Sequence, residues 1–347
     1  MKQLYIITII LLNTLYLDAK IVEDMMYKEV EIPSSIQKVY APSPYGSYAL
    51  YAMDPSLLSG WIFNIKEENL AYLNKKMETL PTIGRIFGAG KSANLEVLLS
   101  QHPDLIIMWS HNNTITKKEE ERLKVLNTPI VYVKEESLLD YPKIFNFLGK
   151  VLNKEERSQI LASYTKNVFQ NVKKTISTIS IANRPKVYYA EGVDGLSTEC
   201  NDSIHVELLQ IVGDVNIHRC KTTSHKGFEK ISMETLIQYD PDVILVQEEM
   251  LFNKIKDIPL WQTLNAVKNK RVYYIPKKPF NWFDRPPSFM RILGLQWLMS
   301  LLYPEKFPFN LEDETKKFYQ LFLNVSLSET QIKELLKQIP IDQGVNQ

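Results

Sequence analysis

Apolar and polar positions along this chain fall into one pattern that occurs twice. The stretch NLEVLLSQHPDLIIMW at residues 94–109 returns as SMETLIQYDPDVILVQ at residues 232–247. Each copy has apolar residues at helical spacing, then Pro-Asp, through which a helix cannot continue, then an unbroken apolar run. Such a run suits a parallel strand with helices packed on both faces. One copy is an ordinary α/β unit, whereas two predict two lobes of similar build. Between the copies, residues 153–183 hold no glycine or proline, and Ile160, Leu161, Tyr164, Val168, Val172 and Ile176 recur at helical spacing. That predicts one helix of about 27 residues, roughly 40 Å long, with Lys166, Lys173 and Lys174 on its solvated face. Further elements are an edge strand or hairpin over 25–32, core strands at 39–41, 130–133, 186–190 and 271–275, and helices at 48–53 and 287–302. The predicted class is α/β, with two Rossmann-like lobes over residues 20–152 and 184–347 joined by a rigid helix at 153–183.

The first nineteen residues stand outside this plan. Lys2 precedes an apolar stretch from residue 4 to 17, broken only by Thr8, Asn13 and Thr14, and Leu17-Asp18-Ala19 closes it. This is the pattern of a secretory signal peptide cleaved after Ala19. A membrane anchor is the competing reading, but the stretch is short of the roughly 20 apolar residues a span requires. No cysteine lies near the site for lipid attachment, so a soluble periplasmic protein is expected.

Composition changes this picture little. The chain has 347 residues, 45% hydrophobic and 23% charged, a size that favours two domains. Its 41 basic and 40 acidic residues leave a net charge of +1 and no basic tract for nucleic acid. The two cysteines, Cys200 and Cys220, both lie in the exported part. They are either one disulfide or two soft metal ligands beside His205, His218 and His225, and their wide spacing and the oxidising compartment favour the disulfide. HExxH, GxSxG, Walker and CxxC motifs are all missing, so an enzyme is not expected.

Several segments together resemble a known family. IGRIFGAG at 83–90 runs into NLEVL at 94–98 and HPDLII at 102–107, and SIHVELLQIVG at 203–213 precedes the second Pro-Asp unit. In this order, with an export signal and a long central helix, the chain resembles the solute-binding proteins of ABC importers for iron chelates, haem and cobalamin. FNWFDRPPS at 280–288 is similar to a subgroup that handles iron compounds, haem or nickel. The resemblance implies a clamshell with a ligand cleft between the lobes, little hinge motion, and no resident cofactor. It implies a monomer that delivers an iron or nickel chelate, or haem, to an inner-membrane permease with its ATPase. It also implies acidic residues on the two lobe tops that dock on the permease, and Glu96 and Glu234 hold matching places in the repeat. A sensor that hands a signal to a membrane partner, or a metal-site enzyme on the same scaffold, are the alternatives; two cysteines are too few to hold a cluster of that kind.

Ligand contacts are expected where strands end, since α/β sheets place ligands at the carboxyl ends of their strands. Tyr45 lies in a turn leading into a helix, suited either to an oxygen-rich anion or to simple capping. Arg85, in the glycine-rich turn, would meet an anionic chelate or only solvent. Trp109 and His111 follow the strand of the first repeat, and His111 is the candidate metal ligand, an imidazole suiting nickel, iron and haem. Tyr188 and Tyr189 alternate on their strand, so one packs inward and Tyr189 is the candidate for the cleft. Trp282 would stack on a planar chelate and Arg285 would pair with a carboxylate, unless the segment only clasps the last helix.

Overall fold

The structure is a computed structural model that describes residues 19–85, 93–111, 117–222 and 228–336, with the side chains of residues 111 and 117–120 left aside. Residues 1–18 of the expected signal peptide lie outside the described residues, and Ala19 opens the first strand. No helix among the described residues is long and apolar enough to cross a membrane.

An antiparallel hairpin comes first, β1 (Ala19–Glu23) against β2 (Glu29–Pro33). Where the sequence pattern suggested a strand from residue 25, the chain turns. The reason is Asp24, whose Oδ1 accepts from the backbone N–H groups of Met26 (2.8 Å) and Lys28 (3.0 Å), a local alternative to a strand ladder. Next, β3 (Val39–Tyr40), β4 (Leu105–His111) and β5 (Ile130–Glu135) form a parallel sheet in that order. In the second half β6 (Val187–Ala190) precedes a small antiparallel pair, β7 (Ser197–Thr198) with β8 (Glu229–Lys230). β9 (Val243–Val246) and β10 (Val272–Tyr274) complete a second parallel sheet, ordered β10-β9-β6. Every residue of β6 and β9 is buried, as their unbroken apolar runs require.

The repeat has a structural reason. Helices Leu95–Gln101 and Met233–Tyr239 are capped at the start by Asn94 and Ser232. Both end on a left-handed residue directly before the proline, His102 (φ 48°) and Asp240 (φ 41°). The aspartate after each proline then ties the helix–strand unit to the strand beside it. Asp104 Oδ2 accepts from the Lys38 N–H (2.8 Å) and Asp242 Oδ2 from the Lys186 N–H (2.7 Å), at the entrances to β3 and β6. Each of those lysines returns its ammonium to the last turn of the repeat helix, Lys38 to Gln101 O and Lys186 to Tyr239 O, both at 3.0 Å.

The central helix runs from Glu155 to Ser177, about 34 Å at 1.5 Å per residue. It is shorter than the glycine-free stretch because the chain leaves it for a separate turn at Ile181–Asn183. Helix Arg291–Leu302 is buried along nearly its whole length. Its Gly294 lies so close to the Trp282 backbone that a Cβ there would meet Trp282 O at 1.8 Å.

Beyond it the chain crosses back to the first lobe with helices Leu311–Phe318 and Glu329–Leu336. The Tyr51 hydroxyl donates to Leu323 O (2.6 Å), Tyr72 to Glu334 Oε2 (2.8 Å), and Gln331 Nε2 to Ala71 O (2.8 Å). A second brace is aromatic. Phe280 stacks on Tyr48 with centroids 4.1 Å apart and on Trp61 at 5.9 Å. One continuous apolar core accordingly includes residues of both lobes.

Candidate ligand cleft

Where strands β5 and β6 end, the two lobes meet over a network of charges. On the first-lobe side, Glu135 closes β5 and is 1% exposed. It accepts from Trp109 Nε1 (2.7 Å) through Oε2 and from Arg291 Nη2 (2.9 Å) through Oε1. Arg291, also 1% exposed, reaches with Nη1 to Glu207 Oε2 (2.6 Å) in the second lobe. Glu207 Oε1 in turn accepts from Ser137 Oγ (2.6 Å) and the Leu138 N–H (2.8 Å) of the first lobe. Glu135, Arg291 and Glu207 therefore form a buried charge bridge across the base of the cleft. Burial pushes the Glu135 carboxyl up to about 7, against the pull of Arg291.

A second network lies on the second-lobe wall and is built around Arg285. Its Nε donates to Glu191 Oε1 (2.7 Å), Nη2 binds Glu199 Oε1, and Asp284 Oδ2 lies 3.3 Å from Nε. The Phe228 ring sits 4.0 Å from the guanidinium carbon. Asp284 also takes His205 Nδ1 at 2.6 Å, and Arg285 Nη1 faces His205 Nε2 at 3.4 Å. The side chains of Glu191, Glu199 and Asp284 are 0% exposed, while those of Arg285 and His205 keep 24% and 17%. The carboxylates thus lie behind, and the two nitrogen groups in front. Burial raises the Glu191 carboxyl to about 7, although Arg285 opposes it. Burial resists charging of His205, but its bond to Asp284 wins and holds the imidazole above its ordinary value.

Tyr45 completes the front from the first lobe. It lies in the first turn of helix Pro44–Met53, which Ser43 caps by accepting from the Gly46 N–H (3.3 Å). Burial, with Glu135, drives its hydroxyl to about 12, and the charges of Arg291, Asp284 and Arg285 all act on it.

The other expected contacts are distributed differently. Arg85 is half-buried at the edge of the described residues and its charge acts on the Tyr48 hydroxyl. His111 ends β4 in register with Glu135, beside the charge bridge, but its side chain lies outside the description. Trp109 is 5% exposed and serves as a donor to Glu135. Tyr189 and Trp282 have no exposed surface. Tyr189 packs against Phe283 at 4.8 Å, and Trp282 lies beneath helix Arg291–Leu302, 6.5 Å from Tyr319, so neither ring offers a face to a planar ligand. Both tyrosines of β6 are buried, because the turn at Gly195 covers Tyr188, whose hydroxyl donates to Gly195 O (2.8 Å). Cys200 and Cys220 are bonded to each other, next in chain to Glu199. His225 lies outside the described residues.

Glu191, directly after β6, reads from the sequence as turning toward the cleft, whereas Glu135, Glu199, His205, Asp284 and Arg291 were not singled out as cleft residues. For Glu191 and Glu135 the signal was their place at the end of a strand. For Asp284 it was its position beside Arg285 in FNWFDRPPS.

Two parallel sheets, a long connecting helix and networks of charge where the lobes meet make a two-lobed α/β protein. The periplasmic binding protein family matches residues 75–279, more than half of the chain, and the chain belongs to that family. It is similar to an ABC transporter solute binding protein from Sulfurospirillum deleyianum, 37% identical, with a TM-score of 0.84 over 91% of this chain and 99% of that one. The molybdate-binding protein MolA of Haemophilus influenzae is 23% identical over 338 residues, 88% of this chain and 92% of that protein. The Fe(3+)-citrate-binding protein YfmC of Bacillus subtilis is 28% identical over 190 residues, 54% of this chain and 58% of that protein. The first is an ABC transporter solute binding protein, and the other two bind molybdate and ferric citrate.

Proposed function

We propose that this chain captures a small, oxygen-rich anionic metal species in the cleft and delivers it to an inner-membrane ABC permease with its ATPase. The observation that carries the reading is the order of groups on the cleft wall. Glu191, Glu199 and Asp284 are fully covered, so a bare cation cannot reach them, whereas Arg285 and His205 keep exposed surface and Tyr45 is half-buried near them. Buried carboxylates behind a guanidinium and an imidazole fix the two groups in place, and donors so fixed suit carboxylate or oxo ligands of a metal. Iron and nickel chelates rich in carboxylates fall in this class, as do metal oxyanions. Similarity to molybdate- and Fe(3+)-citrate-binding proteins supports it. Haem is less well served, since Trp109, Tyr189 and Trp282 are buried.

Calorimetric titration of the exported chain with molybdate, ferric citrate, nickel–histidine, haem and cobalamin tests the reading. The expected result is tight binding of at least one anionic species, lost in Arg285→Met. Binding of only cationic or neutral species refutes it.

Glu96 and Glu234 are proposed as the permease contacts. Both are exposed in the first turn of the matched repeat helices. Reversing both charges should abolish uptake and leave ligand affinity unchanged; uptake by the doubly reversed chain removes the assignment.

A further inference from the structure

The loop closed by the disulfide carries a histidine against the sulfurs. One ligand atom each from Cys200, His218 and Cys220 lie within 4.8 Å of one another. Cys200 is almost fully buried, and His218 and Cys220 are half-buried. The loop is also held by bonds other than S–S. Asn216 Nδ2 donates to Glu199 O (3.0 Å) and His218 O (3.2 Å). Beyond Cys220, the Thr222 N–H and hydroxyl both donate to Asp202 Oδ1, at 3.0 and 2.6 Å. Arg219 reaches back to Asp214 Oδ1 (2.7 Å). His218 Nδ1 is engaged with the Tyr239 hydroxyl at 3.0 Å, which leaves Nε2 for a metal and orients the ring from behind, as outer partners do for ligating histidines.

We propose that reduction of this disulfide creates a site for one soft or borderline d10 cation, Zn2+ or Cu+, held by Cys200, Cys220 and His218. A dithiol reductant supplies the two electrons and two protons. Its own sulfurs join, the Cys200–Cys220 bond breaks, and each cysteine sulfur takes a proton. The cation then displaces both protons and binds two thiolates and one imidazole, the donor set that d10 ions favour over oxygen. This site is separate from the cleft front, so it stands whatever the transported solute proves to be.

The test reduces the full chain with dithiothreitol, removes the reductant under argon and titrates with Cd2+. The readout is the thiolate-to-metal charge-transfer band in the near ultraviolet, with far-ultraviolet circular dichroism followed alongside. The reduced chain should develop the band and saturate at equimolar metal, and the never-reduced chain should show none. His218→Ala should keep a band but bind about tenfold more weakly or worse. The proposal is overturned by a reduced, natively folded chain without a band, or by unchanged affinity in His218→Ala. Loss of native dichroism on reduction overturns it as well, because the loop would then depend on the S–S bond.

Discussion

Arg285→Ala should be costly at neutral and alkaline pH and less costly in mild acid. Arg285 is the shared cation of Glu191 (2.7 Å), Glu199 and Asp284 (3.3 Å), all without exposed side-chain surface. Removing one partner of such a buried arrangement typically costs about 3–5 kcal/mol, because the remaining charges lose compensation. The pH dependence follows from Glu191. Even with Arg285 present, burial raises this carboxyl from 4.5 to about 7, worth about 3 kcal/mol between its two protonation states. Between those values the folded chain holds a proton that the unfolded chain has shed. The contribution of Glu191 is therefore full below its unfolded value and is lost as pH rises through its folded one. Without Arg285 the folded value climbs further, so the loss extends to higher pH. Urea denaturation of wild type and variant at about pH 5 and about pH 8 measures the effect, with the deficit expected mainly at the higher pH. Adding Glu191→Gln to the variant should recover part of it there. An equal deficit at both values, or none at either, would refute the account of Arg285 as compensating cation.

Three further outcomes follow from the same geometry. Affinity for an anionic ligand should fall as pH rises through about 7, since Glu191 then ionises beside Arg285; calorimetry across that range shows it, and Glu191→Gln should flatten the profile. Arg291→Met should lower stability by about 3–5 kcal/mol, as Glu135 and Glu207 are left without their cation, and adding Glu135→Gln and Glu207→Gln should restore most of the urea midpoint. Gly294→Ala should lower the melting temperature sharply, because its Cβ would press on the Trp282 carbonyl, backbone that cannot step aside.

The sequence made the lobes legible because their information is local. Pro-Asp stops a helix and anchors the next strand in both copies, and the absence of glycine and proline marks the connecting helix. The cleft was less legible because burial decides it. Trp282 and Tyr189 sit beside Arg285 and Glu191 in sequence, yet the aromatic residues turn into the core and the charged ones toward the cleft. Periodicity cannot separate these outcomes in an irregular segment such as residues 276–290. His205 lies in a first turn capped by Ser203, whose Oγ accepts its N–H (3.2 Å). Its partner Asp284 is distant in sequence, and no spacing rule links them. Arg291 was not singled out, and its two carboxylates come from different lobes.

The return of the last two helices to the first lobe has a consequence for delivery. With Tyr51, Tyr72 and Ala71 tied to the last helices, and Phe280 packed against both Tyr48 and Trp61, the lobes resemble two boards nailed to the same crosspieces. If this chain delivers a solute as proposed, a carrier built in this way would change its outline little when it fills. The importer would then meet nearly the same silhouette loaded or empty, so unloaded copies should compete for the docking platform and throttle uptake when the carrier outnumbers its solute. Release would also have to be forced by the permease working the cleft apart, so the turnover of the ATPase, and not the carrier's own opening, would set the pace of transport.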